Sequence, residues 1–145
     1  MRLRSLALAI LLATPATAGI QPPEPVRGPI RVIDGDTVRL ASGEIVRIYN
    51  IDAPETHRPR CPAEKRIGEA AATALRAWMT VPDVTISRGE PATGRLRDRY
   101  GRTLASLSTA YEGDVGDRLV ALGLALPWRT GKAAHDARAR HWCGR

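Results

Sequence analysis

The sequence predicts an α+β domain in which five short strands build a small Greek-key barrel and about three helices pack around it. Three observations carry this. Residues 30–51 alternate β-rich apolar runs with tight Gly-containing turns. Residues 62–79 switch to a helical apolar period. Residues 83–142 then give two more strands and two short helical stretches. The order is compatible with a five-stranded OB-fold barrel.

The chain opens with Arg2 and Arg4, an apolar run from Leu6 to Ala13, and Ala16-Thr17-Ala18, a small-x-small cleavage signal. Residues 1–18 are expected to be a signal peptide, because the apolar run is shorter than the roughly 20 residues that span a bilayer. An uncleaved anchor is the alternative. No later segment reads as transmembrane, so no membrane association is expected after cleavage. The protein is expected to be exported, to the periplasm or the extracellular medium, and to act as a monomer. Residues 19–29 (GIQPPEPVRGP) form a proline-rich, extended lead-in, and residues 30–145 form one domain.

The first strand is expected at Ile30–Ile33 and the second at Thr37–Ala41, joined through the turn dipeptide Asp34-Gly35. Glu44–Ile51 is the third and most β-like run. Ile67, Ala70, Ala71, Ala74, Leu75 and Trp78 mark the apolar face of a helix from Pro62 to Met79. Pro62 suits its first turn, and Val81-Pro82 ends it. Asp83–Ser87 is a fourth strand, Gly89–Gly101 an Arg-bearing loop or ragged hairpin, and Thr103–Ser108 a fifth strand. A second helix runs from Asp114, its N-cap, to Gly123, with Val115, Leu119 and Leu122 on one face. Gly131–Trp142 is a third, weaker helix.

The formal charge is +7, and the signal peptide accounts for two of the arginines. Almost all basic residues are Arg, whose planar fork suits phosphate. This favours a polyanionic partner without naming one. In an exported protein, Cys61 and Cys143 most simply form one disulfide.

Asp34-Gly35-Asp36-Thr37 and Asp52-Ala53-Pro54-Glu55 are two acidic loops at the ends of neighbouring apolar runs. Each alone reads as an ordinary turn. A helix-loop-helix calcium loop fails, because Ile45 stands where a closing Glu is needed. Together, Asp36 and Asp52 could supply hard oxygens to calcium, with the Ala53 carbonyl and waters completing the shell. Glu55 could then orient or deprotonate water. Arg47 and Arg102 suit the charge that builds on a phosphoryl group during hydrolysis. Either is equally readable as a solvated strand residue. Strict strand alternation puts Arg47 and Asp52 on opposite faces, so the site requires the chain to leave strand geometry near Asn50–Asp52. His57, His135 and His141 lack metal-ligand spacing and are expected at the surface.

These residues resemble the thermonuclease family, whose type member is staphylococcal nuclease. The resemblance spans about Ile30 to Ala125 and rests on IDGDTV (33–38), VRIYNIDAPE (46–55), EKRIGEAA (64–71), DRYGRTLA (98–105) and VGDRLVALGLA (115–125). It implies an OB-fold barrel with three helices and a Ca2+-dependent phosphodiesterase acting on DNA and RNA. It makes Asp36 and Asp52 the calcium carboxylates, Ala53 a carbonyl ligand and Asp34 a supporting carboxylate behind them. Glu55 becomes the general base, Arg47 and Arg102 the phosphate-binding arginines, and Arg99 and Tyr100 contacts to a terminal phosphate. Three departures stand out. Ala53 replaces a threonine, the Cys61–Cys143 pair is absent from the type member, and Arg129 and Gly131 occupy the places of two nucleotide-contacting tyrosines. Trp128, adjacent, reads either as a substitute for them or as a packing residue. The alternative reading of the whole chain is a catalytically silent OB-fold module that binds nucleic acid or a protein.

Overall fold

The computed structural model describes residues 19–144, and the expected signal peptide, residues 1–18, lies outside the described residues. The strands are β1 (Glu24–Pro25), β2 (Arg31–Asp34), β3 (Thr37–Arg39), β4 (Ile45–Ile48), β5 (Ile51–Asp52), β6 (Thr85–Arg88), β7 (Thr103–Thr109), β8 (Gly113–Asp114) and β9 (Leu126–Pro127). The helices are α1 (Pro62–Trp78), α2 (Val115–Ala121) and α3 (Lys132–Cys143). The α+β class and the three helices agree with expectation.

The main sheet runs β1-β6-β7-β4-β3-β2, with β8 added on β7. Its β2-β3-β4 meander is antiparallel, and β4 then pairs in parallel with β7. The path starts at β1 and ends at β2, and only residues 26–30 separate these two in the chain. The ribbon's two ends are therefore joined by one short segment, so the sheet is open by its ladder yet barrel-like in its path. The lead-in is extended as expected, and it also joins the fold. Glu24 and Pro25 pair with Ile86 and Thr85, and the Val26 N–H donates to the Val84 carbonyl at 2.8 Å. Arg88 on β6 ties this edge together by pairing with both Glu24 and Glu44.

The barrel interior is filled by Val38, Val46, Ile48, Ile86 and Leu107, all essentially inaccessible. Helix α1 covers one end. Its buried stripe is Gly68, Ala71, Ala72 and Leu75, rotated from the face expected from the sequence, because Ala70 is exposed and Ala72 is not. The reason is steric. A Cβ on Gly68 would lie 2.5 Å from the Pro54 carbonyl oxygen, and one on Gly35 would lie 2.7 Å from Ala53 Cβ and 2.8 Å from Ala71 Cβ. Missing side chains, rather than large apolar ones, thus let the helix seat directly on both acidic loops.

The expected third strand, Glu44–Ile51, is in fact two. Regular pairing stops at Ile48, Tyr49 and Asn50 turn, and Ile51 and Asp52 pair instead with Pro127 and Leu126 of β9. Ile48 and Ile51 are both fully buried, which a three-residue step along a flat strand would forbid. Burying both is what bends the chain. The Cys61–Cys143 disulfide is present, with Cα atoms 5.9 Å apart, and it fastens the end of α3 to the N-cap of α1. Helix α2 is capped by Asp114, as expected, but Leu122 falls at its C-cap and is exposed.

Candidate active site

A bulge between Val32 and Asp34 changes the register of β2, so that Asp34 faces Thr37 across the turn. Bulges re-aim side chains in this way. Asp34 then accepts from the Asp36 N–H at 3.2 Å. Burial, aided by repulsion from Asp36, pushes the Asp34 carboxyl up to about 6.

Thr37 lies opposite Arg47 across β3 and β4, which sets Arg47 beside Asp36. The Arg47 Nη2 is 3.0 Å from Asp36 Oδ2 and 3.4 Å from Asp52 Oδ1. Its Nη1 donates to the Ile48 carbonyl. The break after Ile48 resolves the alternation problem, since it swings Asp52 round to the face that holds Arg47. Asp36 also accepts from the Thr37 hydroxyl at 2.9 Å and from the Ala53 N–H at 3.0 Å, so the two acidic loops are stitched together. Asp52 is pushed upward by burial and by Asp36 and Glu55, a shift that Arg138 and Arg47 oppose.

Arg138, on α3, was not flagged by the sequence. Its side chain is 11 % exposed and its Nε pairs with Asp52 Oδ2. Its guanidinium also lies 5.1 Å from the Trp128 ring centroid, and that of Arg47 lies 5.6 Å from the same ring. Trp128 owes its place to the β5–β9 ribbon, where its N–H donates to the Asn50 carbonyl at 2.8 Å. Neither spacing nor motif points to Arg138, and several arginines on a weakly patterned helix are common on solvated faces.

Arg47 also opens onto a cleft of about 380 Å³ whose walls include Tyr49, Arg99, Tyr100, Arg102 and Trp128. Asp98 organises one wall. It accepts from the N–H groups of Tyr100 and Arg102 at 2.8 and 3.0 Å, and from Arg102 Nε at 2.7 Å. Burial raises the Asp98 carboxyl, but these bonds outweigh it and hold the group below its usual value. Tyr100, 68 % exposed, is flanked by the guanidinium groups of Arg99 at 4.8 Å and Arg102 at 5.5 Å.

The structure therefore assembles the predicted residues in two groups that meet at Arg47. Asp34, Asp36, Asp52 and Ala53 lie on one side, with Arg99, Tyr100 and Arg102 on the other. Glu55 is exposed beyond Asp52, and its carboxylate makes no hydrogen bond among the described residues. His57, His135 and His141 are exposed, as expected. Among the described residues, no three acidic, cysteine or histidine side chains form a ready-made metal cluster. The donor chemistry nonetheless fits a hard cation: two carboxylates, desolvated and mutually repelling, converge with a supporting third. Guanidinium groups now satisfy the same need for positive charge.

A family model described as "Staphylococcal nuclease homologue" matches residues 45–141. The chain is 35 % identical over 121 residues to "Succinoglycan biosynthesis protein ExoI" of Rhizobium meliloti (strain 1021), a match covering 81 % of this chain and 60 % of that protein. It is 36 % identical over 104 residues to "Endonuclease YhcR" of Bacillus subtilis (strain 168), covering 66 % of this chain but 8 % of the relative. It is 38 % identical over 79 residues to a "Thermonuclease" of Staphylococcus intermedius, covering 52 % of this chain and 44 % of the relative. The chain thus spans less than two thirds of each of these relatives.

Proposed function

The chain belongs to the staphylococcal nuclease homologue family, and on that premise we propose that it is an exported, calcium-dependent nuclease that hydrolyses phosphodiester bonds of DNA or RNA. The observation that carries this reading is Arg47, whose guanidinium touches both acidic loops and also lines the arginine-rich cleft. A phosphate drawn into the cleft by Arg99 and Arg102 would meet Arg47 next to the carboxylates. Two relatives named endonuclease and thermonuclease support the same chemistry.

Asp36, Asp52 and the Ala53 carbonyl would hold the ion, with Asp34 fixing Asp36 from behind. Calcium bound there would polarise a phosphoryl oxygen as a Lewis acid. Glu55, exposed and unpaired among the described residues, takes the proton from the attacking water. Arg47 and Arg102 hold the oxyanion as charge develops, and the Nη atoms of Arg102 make no hydrogen bond to a side chain among the described residues. Trp128 and Tyr100 offer faces on which bases stack, worth about 1–3 kcal/mol each. Export is supported by the disulfide, which persists in oxidising compartments. Among the described residues no helix is long and apolar enough to cross a membrane.

The test is to incubate the purified protein with single-stranded DNA, duplex DNA and RNA, with calcium or with excess chelator. Calcium-dependent cleavage of at least one substrate is expected. Cleavage that persists in chelator removes Asp36 and Asp52 as metal ligands. Binding without cleavage of any substrate establishes the silent binding module instead.

A further inference from the structure

Arg138 is held by three different interactions, which is unusual for an arginine on a helix of low overall hydropathy. It pairs with Asp52, stacks at 5.1 Å from Trp128, and donates from Nη1 to the Arg129 carbonyl at 3.0 Å. The disulfide one turn further along α3 anchors the helix that delivers it. Arg47 and Arg138 together balance the charges of Asp36 and Asp52.

We propose that Arg138 is a substrate-positioning residue that exchanges partners: it pairs with Asp52 when the site lacks metal, and with a phosphate flanking the scissile one when substrate is bound. The inference rests on the calcium reading above. Charge supports it. When Asp52 serves a divalent cation, Arg138, whose side chain is 11 % exposed, loses the one carboxylate it pairs with among the described residues. Asp34 and Glu55 add negative charge nearby, but neither pairs with Arg138, so a backbone phosphate is the anion that substrate brings to this guanidinium. Geometry assigns that phosphate to Arg138. Arg47 faces the cleft with Arg102, whereas Arg138 reaches Trp128 from α3, so the two arginines approach the same indole from different elements. Trp128 is 39 % exposed, so a base can approach the indole beside the Arg138 guanidinium that lies over it, and the phosphate of that nucleotide is the anion offered to Arg138. The site then favours an internal stretch of polynucleotide over a nucleoside monophosphate, because only the former supplies both phosphates.

R138Q should change two affinities in opposite directions. Calcium binding without substrate, measured by calorimetry, should tighten by at least about threefold, because a competing cation is removed from Asp52. Binding of a hydrolysis-resistant phosphorothioate oligothymidylate of about eight nucleotides, a length within the reach of one OB-fold, should weaken in the presence of calcium by about tenfold. Its dependence on log salt should fall by about one phosphate contact. R138K, which keeps the charge without the fork, should recover the salt slope but not the full affinity. If both affinities weaken, Arg138 is only a packing residue; if both tighten, it is only an obstacle to calcium. Either result overturns the proposal, as does no change in either. A parent protein that binds no calcium at all overturns the calcium reading itself, and this one with it, which separates the two failures. Circular dichroism checks that the variants fold.

Discussion

The Asn50 side-chain amide donates to Asp117 Oδ1 at 3.0 Å and to Asp114 Oδ1 at 3.3 Å, so the bend between β4 and β5 hangs from the first turn of α2. On the other side, the Asn50 carbonyl accepts from Trp128. One residue that lines neither the carboxylate cluster nor the cleft therefore sets the positions of Asp52 and Trp128 together.

Asn50→Ala should cost about 1–2 kcal/mol of stability, the range for losing a partly buried hydrogen bond to a charged group. It should reduce turnover more than that loss implies, because the variant stays folded while Asp52 loses its fixed approach to Arg47. Thermal melts beside single-turnover cleavage of single-stranded DNA check this. Full activity in a measurably destabilised variant would mean that burial of Ile48 and Ile51 alone sets the bend.

Glu64 is fully buried and accepts from the Arg60 N–H at 2.6 Å and from its Nη2 at 2.7 Å. Burial pushes its carboxyl up, but the side-chain and backbone hydrogen bonds from Arg60 outweigh this and leave it below its ordinary value of 4.5. A depressed carboxyl stabilises the fold fully above its unfolded value and loses that contribution as pH falls through the folded one. Glu64→Gln should cost about 2–3 kcal/mol at pH 7, less than a fully buried pair because Arg60 is 36 % exposed. The gap between parent and variant should shrink once the pH falls below 4.5. Urea titrations at pH 7 and at acid pH measure it; a gap that stays constant would remove the charge from the explanation.

The disulfide closes a sequence separation of 82 residues. In the chain-entropy model such a loop contributes about 4–5 kcal/mol, and often less in practice. Replacing both cysteines by Ser puts a capping oxygen where the Cys61 sulfur accepts from the Glu64 N–H, so the helix start stays capped and the loss reports the cross-link. The melting temperature should fall clearly while the calcium requirement is retained. A melt that superimposes on that of the parent would show that the buried Trp142 holds α3 without the bridge.

Strands β2, β3, β4, β6 and β7, the three helices, the cap at Asp114 and the disulfide partners are legible because each is written in local period, turn chemistry or residue counts, whereas the two-residue strands β1, β8 and β9 exist only through distant pairing partners. The α1 face was misjudged at Ala70 because apolar periodicity weighs side chains that are present, whereas Gly35 and Gly68 act by lacking one. The bend is required near Asn50–Asp52 by the sequence and falls at Tyr49–Asn50, but its cause is not legible there, since it depends on Asn50 finding Asp114 and Asp117 more than sixty residues away. Arg138 was invisible for the same reason: its partner Asp52 is distant in sequence, and its own helix has almost no apolar pattern.

Glu55 is exposed and close enough to Asp52 to push its carboxyl upward, and its own carboxylate accepts no hydrogen bond among the described residues. Glu55→Gln keeps size and hydrogen-bonding reach but removes the ability to take a proton. Its turnover on single-stranded DNA with calcium should be compared with that of the parent, beside calorimetric binding of a nucleoside bisphosphate. The account predicts nearly unchanged binding and a loss of at least about a hundredfold in turnover. A variant that cleaves like the parent would contradict it and make Glu55 a turn residue.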